Sequence, residues 1–449
     1  MLKTRNYSIL LIVFTIFVSC TQKYDDEKDF RVRSINDGKA VEINEYVGIN
    51  QTIRIPPRLQ GLPVIAIGNY AFRDRNIISV TIPNGVIIIG NGAFERNQLT
   101  NIIIPNSVTT IGQRAFSSNQ INTLTIGNNV NSIEEEAFRN NKLTNVDIGN
   151  SIISIGEGAF RNNSLSNINI SANVKYIGHW SFIENPIISI SISPNNNEYS
   201  SKNLFILSKD ETKLISYYGN DKNITIPGSV SFIGDNSLSG LNLTNVIFNE
   251  NIFSIGNNAL SNNELTSIVI PNSINSIGEK AFYGNQLINI NIPSSITRIE
   301  KEVFRNNMIT NIFIPNSVIF IGESAFQDNK MEKLNIPNSV NKIESEAFRN
   351  NLLTSISIGN GITTIENGTF ADNRLTEITI PSNVRTIGPV SFWNNRLDRV
   401  TIGANVNFID SGNFGIGEPF ERIYTRLNNS RAGTYINTRA GGDARWVRR

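Results

Sequence analysis

Apolar residues recur along this chain with a period of 22. In residues 99–120, LTNIIIPNSVTTIGQRAFSSNQ, the apolar positions Leu99, Ile102, Ile104, Val108, Ile111, Ala115 and Phe116 alternate with polar and turn-forming ones. Phenylalanine marks the register. Phe72, Phe94, Phe116, Phe138, Phe160 and Phe182 stand 22 apart; after Leu238 and Leu260 the series continues at Phe282, Phe304, Phe326, Phe348, Phe370, Phe392 and Phe414. This count predicts fifteen units, with one gap of 56 residues between Phe182 and Leu238 that holds an insertion of 34. A fixed period of this length over most of a chain specifies a stacked solenoid.

Each unit reads as two short strands and a bend. Ile102 and Ile104 are two apart and share one face of a strand, while Ile103 points to the other. Pro105, or glycine in other copies, ends that strand because proline cannot donate to a ladder. VTTIG is a second strand burying Val108 and Ile111, and Gly112 permits the turn out of it. QRAFSS predicts one helical or 3₁₀ turn, too short to stand alone. The predicted fold is a mainly-β repeat solenoid with two short strands plus a helical turn per unit. One coil cannot bury its own apolar set, but stacked coils bury it as continuous columns.

Asparagine follows the spine position by three in twelve units: Asn97, Asn119, Asn141, Asn163, Asn185, Asn263, Asn285, Asn307, Asn329, Asn351, Asn373 and Asn395. A buried asparagine at a fixed bend can bond the backbone of its own and the neighbouring coil. The alternative is a polar ligand or ion site, but this column lacks the carboxylates that metal chemistry wants.

The pattern LTxIxIPxSVTxIGxxAFxxN resembles the leucine-rich repeat of BspA-like bacterial surface antigens, the treponemal type, over about 330 residues from Gln51 to Phe414 less the insertion. The resemblance implies a right-handed leucine-rich-repeat superhelix with a curved sheet, displayed on the cell surface. It also implies a role in adhesion to host or microbial partners.

The chain divides accordingly. Residues 1–19 read as a lipoprotein signal peptide, with Lys3 and Arg5 ahead of an apolar run from Ile9 to Val18, and Ser19–Cys20 resembles a bacterial lipoprotein cleavage site. Cys20 is the expected lipid attachment point, and a diacylated cysteine suffices for stable anchoring. Residues 20–29 read as a tether, 30–62 as an N-terminal cap and 63–414 as the array. Within the array, 193–223 reads as a hairpin-like insertion, either an elongated repeat or a projecting binding element, with SKDETK as its polar turn. Residues 415–449 carry seven arginines against three acids and read as a C-terminal cap, closing an end that would otherwise expose apolar columns.

Composition narrows the function. A net charge of +2 gives no field to draw nucleic acid, and a single cysteine excludes a disulfide framework or thiolate metal site. The one histidine, His179, sits in a variable turn position and reads as a surface residue. No convergent set of acids, bases and nucleophiles stands out, so neither an enzyme nor a cofactor or metal is expected. Binding is expected on the outward side of the first strand, a polar face of roughly 70 Å at about 4.8 Å per strand. Its best apolar points are Ile247, Val269 and, two coils on, Phe313. On the second strand Tyr176, Phe232, Phe320 and Phe408 share an outward position but are too far apart to form one patch. The expected protein is a non-catalytic binding protein of the cell envelope, lipid-anchored in the outer membrane and surface-exposed. It would adhere to extracellular or surface proteins; the alternatives are glycan binding and a structural envelope role.

Overall fold

A computed structural model describes residues 24–409, 414, 420–427, 429–438 and 445–449. The signal segment and Cys20 lie outside the described residues. The chain winds into a mainly-β solenoid of about 17 turns of ~22 residues with little helix. In a representative coil, Asn101–Ile103 pairs in parallel with Thr123–Thr125 of the next, and Thr110–Ile111 pairs with Ser132–Ile133. Ile102 is buried while Ile103 faces solvent, as the two-residue period requires.

The phenylalanines form two stacked spines. From Phe72 to Phe182 successive rings lie 4.9–5.6 Å apart and within 18° of parallel. From Phe282 to Phe414 they lie 5.0–5.7 Å apart and within 19°. Such near-parallel, closely spaced rings gain aromatic contact beyond their burial. Leu238 and Leu260, both fully buried, hold the same column between the spines.

The helical turn expected around each phenylalanine is absent. In all fourteen coils from Phe72 to Phe392 the residues two before and two after the spine position have positive φ, for example Arg114 at 57° and Ser118 at 58°. The reason lies in the hydrogen bonds. The N–H groups of Arg114, Phe116 and Ser118 donate to Glu135, Ala137 and Arg139 of the next coil at 2.8–2.9 Å. Those of Ala115 and Ser117 turn back to Gly112 and Arg114 at 3.0–3.1 Å. A helix would spend every N–H on its own axis and leave the neighbouring coil unpaired. Gly112 also differs from expectation. It has no positive φ; instead a Cβ there would lie 2.7 Å from the backbone carbon of Gly90, so glycine is needed for close approach of the coils.

Two coils escape the phenylalanine count. Val41–Ile43 pairs in parallel with Val64–Ile67, and Tyr46 stacks on Phe72 at 5.3 Å. Lys213–Leu214 pairs in parallel with Phe232–Ile233, and Tyr218 meets Phe182 edge-on at 5.6 Å and 85°. Tyrosine replaces phenylalanine in both, and the spacings to the next spine residue, 26 and 20, miss the period. The first strand, Phe30–Ile35, runs antiparallel to Ala40–Tyr46 and lays Phe30 against Tyr46.

The insertion holds three strands, Tyr199–Lys202, Phe205–Ser208 and Lys213–Tyr217, in an antiparallel meander. It partitions the interior. Tyr199, Ile206 and Tyr218 pack into the core that begins at Phe30. Phe205, Leu207, Leu214 and Tyr217 pack into the core that ends at Trp446. Adjacent residues of one strand thus face opposite cores. On the turn side two contacts bridge the division. The Trp180 indole donates to the Ser239 carbonyl at 2.9 Å, and His179 Nε2 lies 3.2 Å from Asn236 Nδ2. His179 is therefore half-buried in a junction, not a free surface residue.

At the far end Gly433–Thr438 pairs antiparallel with Arg399–Ile402, and Arg445–Arg448 pairs with it in turn. Phe414, Phe420, Tyr424, Tyr435 and Trp446 fill the space beneath, with ring separations such as 4.7 Å for Phe414–Phe420 and 5.1 Å for Phe420–Trp446. Phe408 belongs to this plug and does not face outward. The last second strand pairs Thr386 with Asn407 and Ile387 with Phe408, because this coil is one residue shorter and moves Phe408 into the buried column.

Candidate binding face

The asparagine column is a backbone-bonding device. Asn97 Oδ1 accepts the N–H of Arg75 at 3.1 Å and of Ile77 at 3.0 Å, both in the preceding coil. Its Nδ2 donates to the Phe72 carbonyl at 2.7 Å and to its own Phe94 carbonyl at 3.0 Å. The same donor pairing, to the preceding spine carbonyl and its own, recurs at Asn119, Asn141, Asn163, Asn285, Asn307, Asn329, Asn351, Asn373 and Asn395. These side chains are buried and their amides are engaged on both atoms, so they offer nothing to a ligand. Among the described residues no group of three or more histidine, cysteine or acidic side chains is arranged to hold a metal ion.

The first-strand face is polar and regular, which makes its apolar points conspicuous. Ile247 is 53% exposed, Val269 83% and Phe313 70%. Ile247 pairs in register with Thr225, and Phe313 with Asn291. Val269 holds the same repeat position on the coil between, where the residues join no hydrogen-bonded ladder, so it and Ile247 stand on consecutive coils. Phe313 stands one polar rung further, beyond Asn291. The structure therefore brings the first two together and leaves the third at the edge of the group. Ile103 and Ile188 are also exposed but lie in the other stack.

The second-strand face carries features that spacing alone did not expose. Phe320 lies under the Arg298 guanidinium, 3.8 Å from ring centroid to Cζ, with the Lys342 ammonium at 5.7 Å on its other side. Arg298, Phe320 and Lys342 are register partners on three consecutive rungs, giving two cation–π contacts. Each cation also meets a glutamate, Arg298 with Glu300 at 2.7 Å and Lys342 with Glu344 at 2.8 Å. The hydrogen bond and charge of Glu344 raise the Lys342 pKa. Phe232 pairs with Phe253, not with Tyr176 or Phe320, at a centroid distance of 4.1 Å. The signal for that pair was an aromatic in the adjacent outward column one coil on.

Known proteins place the fold. A family model for the BspA type leucine-rich repeat region matches in six copies over residues 65–189, 216–331 and 297–416. A leucine-rich repeat protein from Eubacterium ventriosum is similar in structure, with 21% identity and a TM-score of 0.54, covering 82% of this chain and 93% of that one. A leucine-rich cell surface protein from Faecalibacterium prausnitzii shares 24% identity at a TM-score of 0.46, covering 74% and 94%. The pneumococcal vaccine antigen PcpA shares 18% identity at a TM-score of 0.40, covering 85% and 96%. Among curated proteins none matches. With its repeats matched over more than half its length, this chain belongs to the BspA-type leucine-rich repeat family.

Proposed function

We propose that this protein is a lipid-anchored binding protein displayed on the outer membrane, adhering without catalysis to host or microbial proteins through its first-strand face. Membership of the BspA-type family supports the surface location. The observation that carries the binding reading is the exposed apolar group Ile247, Val269 and Phe313 on a largely polar sheet. Scattered apolar residues are ordinary on a surface, but adjacent ones at the centre of a rigid polar face have the layout of an interface, in which a few anchors supply most of the affinity. The mechanism is area. Many weak polar contacts run along the sheet, and the anchors fix the register. Cys20, acylated, would hold the array at the membrane, with the residues after it as spacer.

Flow cytometry tests this directly by measuring the labelled protein bound to intact host cells. A triple variant, Ile247→Asp, Val269→Asp and Phe313→Asp, is expected to lose about tenfold or more in affinity, as hot-spot removal does. Its thermal unfolding should be unchanged, since all three side chains face solvent. Equal binding by the triple variant sinks the assignment of this face. Protease shaving of intact cells tests display: the chain should be lost, and its retention would remove the adhesion role.

A further inference from the structure

One joint in the array lacks a ladder on both of its strand faces. Among the described residues every other pair of consecutive coils, from Tyr46 to Phe414, shares a hydrogen-bonded ladder on its first strands, its second strands or both. Between the Phe282 and Phe304 coils neither forms. Residues 267–270 join no first-strand ladder. Ser276–Ile277 pairs only with Ser254–Ile255 before it, and Arg298–Ile299 only with Phe320–Ile321 after it. At the next joint the N–H groups of Ile319 and Gly322 donate to the carbonyls of Thr297 and Ile299 at 2.9 and 2.8 Å. The matching bonds here, from Thr297 to Asn275 and from Glu300 to Ile277, are absent.

What remains lies mostly along the phenylalanine corner. Lys280, Phe282 and Gly284 donate to the carbonyls of Lys301, Val303 and Arg305 at 2.9–3.0 Å. The Asn307 side chain donates to the Phe282 carbonyl at 2.9 Å and accepts from Leu287 at 3.0 Å. Gln286 and Ile288, just past the corner, donate to Leu265 and Thr266 at 3.0 and 3.2 Å. The two rings stack at 5.6 Å and 6°. Away from this corner only the Ser295 hydroxyl, on the Ile274 carbonyl, bonds across the joint. A region that keeps its hydrogen bonds on one corner and loses them on two faces opens at low cost. Ile277 and Ile299 stay buried in one continuous core, so the joint bends without parting.

The joint also divides the apolar group of the first-strand face. Ile247 and Val269 lie on the two coils before it, which are tied together through Ser254–Ile255 and Ser276–Ile277. Phe313 lies beyond it, on a coil laddered to Asn289–Asn291. We propose that the array bends about the phenylalanine corner at this joint, and that the bend sets the distance between Val269 and Phe313. A partner that grips all three side chains then holds the joint at one angle. That consequence rests on the binding face argued above; the bend itself does not.

Double electron–electron resonance on the full-length protein tests the bend, in a Cys20→Ser background so that only introduced thiols carry spin labels. The pair Asn245→Cys/Lys333→Cys spans the joint, and Asn289→Cys/Glu377→Cys lies wholly beyond it. Both pairs are 88 residues, or four repeats, apart, and all four positions are exposed in one column. The spanning pair is expected to give a distance distribution about twice as wide as the other. Equal widths overturn the proposal. If the widths differ but the triple variant of the sheet face still binds cells, the binding reading falls and the bend stands.

Discussion

The two stacks on either side of the meander are built from the same repeat and differ in how continuously they are joined. Before it, the second-strand ladder runs unbroken from Phe30–Ile35 to Tyr176–Ile177 in one nine-stranded sheet. After it, the ladder breaks twice, between Ser276–Ile277 and Arg298–Ile299 and between Lys342–Ile343 and Thr364–Ile365. Both breaks fall where Glu300 or Glu366 stands at the position of Gly112. At such glycines a Cβ meets the backbone of the preceding coil at under 3 Å, as at Gly278. Glu134 and Glu344 occupy the same position without a break, so a neighbouring coil can give way. The second stack also opens on leucines where the first carries rings throughout. Regularity of sequence therefore does not ensure equal cohesion. A solenoid is a sum of neighbour interfaces, and bulk at a close-approach position weakens an interface where the neighbouring coil does not give way.

The largest expected effect comes from cutting the spines. Phe116 is sandwiched between Phe94 and Phe138 at 5.2 and 5.3 Å, so Phe116→Ala should destabilise the protein by about 4 kcal/mol. Leu260→Ala, in a leucine-filled stretch, should do so by about 3 kcal/mol. Because the meander divides the cores, hydrogen exchange should quicken mainly on the mutated side for each. Uniform quickening over both stacks would show that the meander transmits stability and would break the comparison.

An alkaline transition sharpens it at the junction. Tyr218 is buried, and burial pushes its hydroxyl pKa up to about 12, against smaller opposing effects of Ser216 and Ser181. The folded pKa lies above the unfolded one, so this stability is complete below about pH 10 and is lost between there and pH 12, amounting to about 3 kcal/mol. Urea midpoints measured from pH 9 to 12 should fall, and Tyr218→Phe should flatten the part of that fall not shared with other tyrosines. An unchanged profile in the variant would place Tyr218 outside the cooperative unit.

The smallest effect is a gain. Val390 is a β-branched residue at φ 45°, a conformation glycine adopts freely, while Gly92, Gly158 and Gly368 serve the same position elsewhere. Val390→Gly should raise stability by about 1 kcal/mol in thermal denaturation. The same change at Glu136 should not, because that carboxylate is held by Arg114 and Arg139. Burial opposes its ionisation, yet those partners outweigh burial and lower its pKa, so its contribution is present at neutral pH and lost as pH falls through the carboxylate range.

Much of this was legible in the chain itself. The two-residue alternation placed Ile102 inside and Ile103 outside, and the 22-residue period placed the phenylalanines in one column. The outward positions of Ile247, Val269 and Phe313 followed from the same count. Where a coil departs from the period, the count misleads: a one-residue deletion turns Phe408 inward, and the Tyr46 and Tyr218 coils fall outside the phenylalanine series. The paired rings of Phe232 and Phe253 lie on different columns, so only packing could join them.

The amino-acid order by itself determined the period, the inward and outward columns and the bend asparagines, because these depend on residues within one repeat and its copies. Only the stacked structure decided the left-handed turns around each phenylalanine, the need for Gly112 and the division into two cores. Those arise where one coil's backbone must meet the next at hydrogen-bonding distance, a requirement between coils that no single repeat expresses.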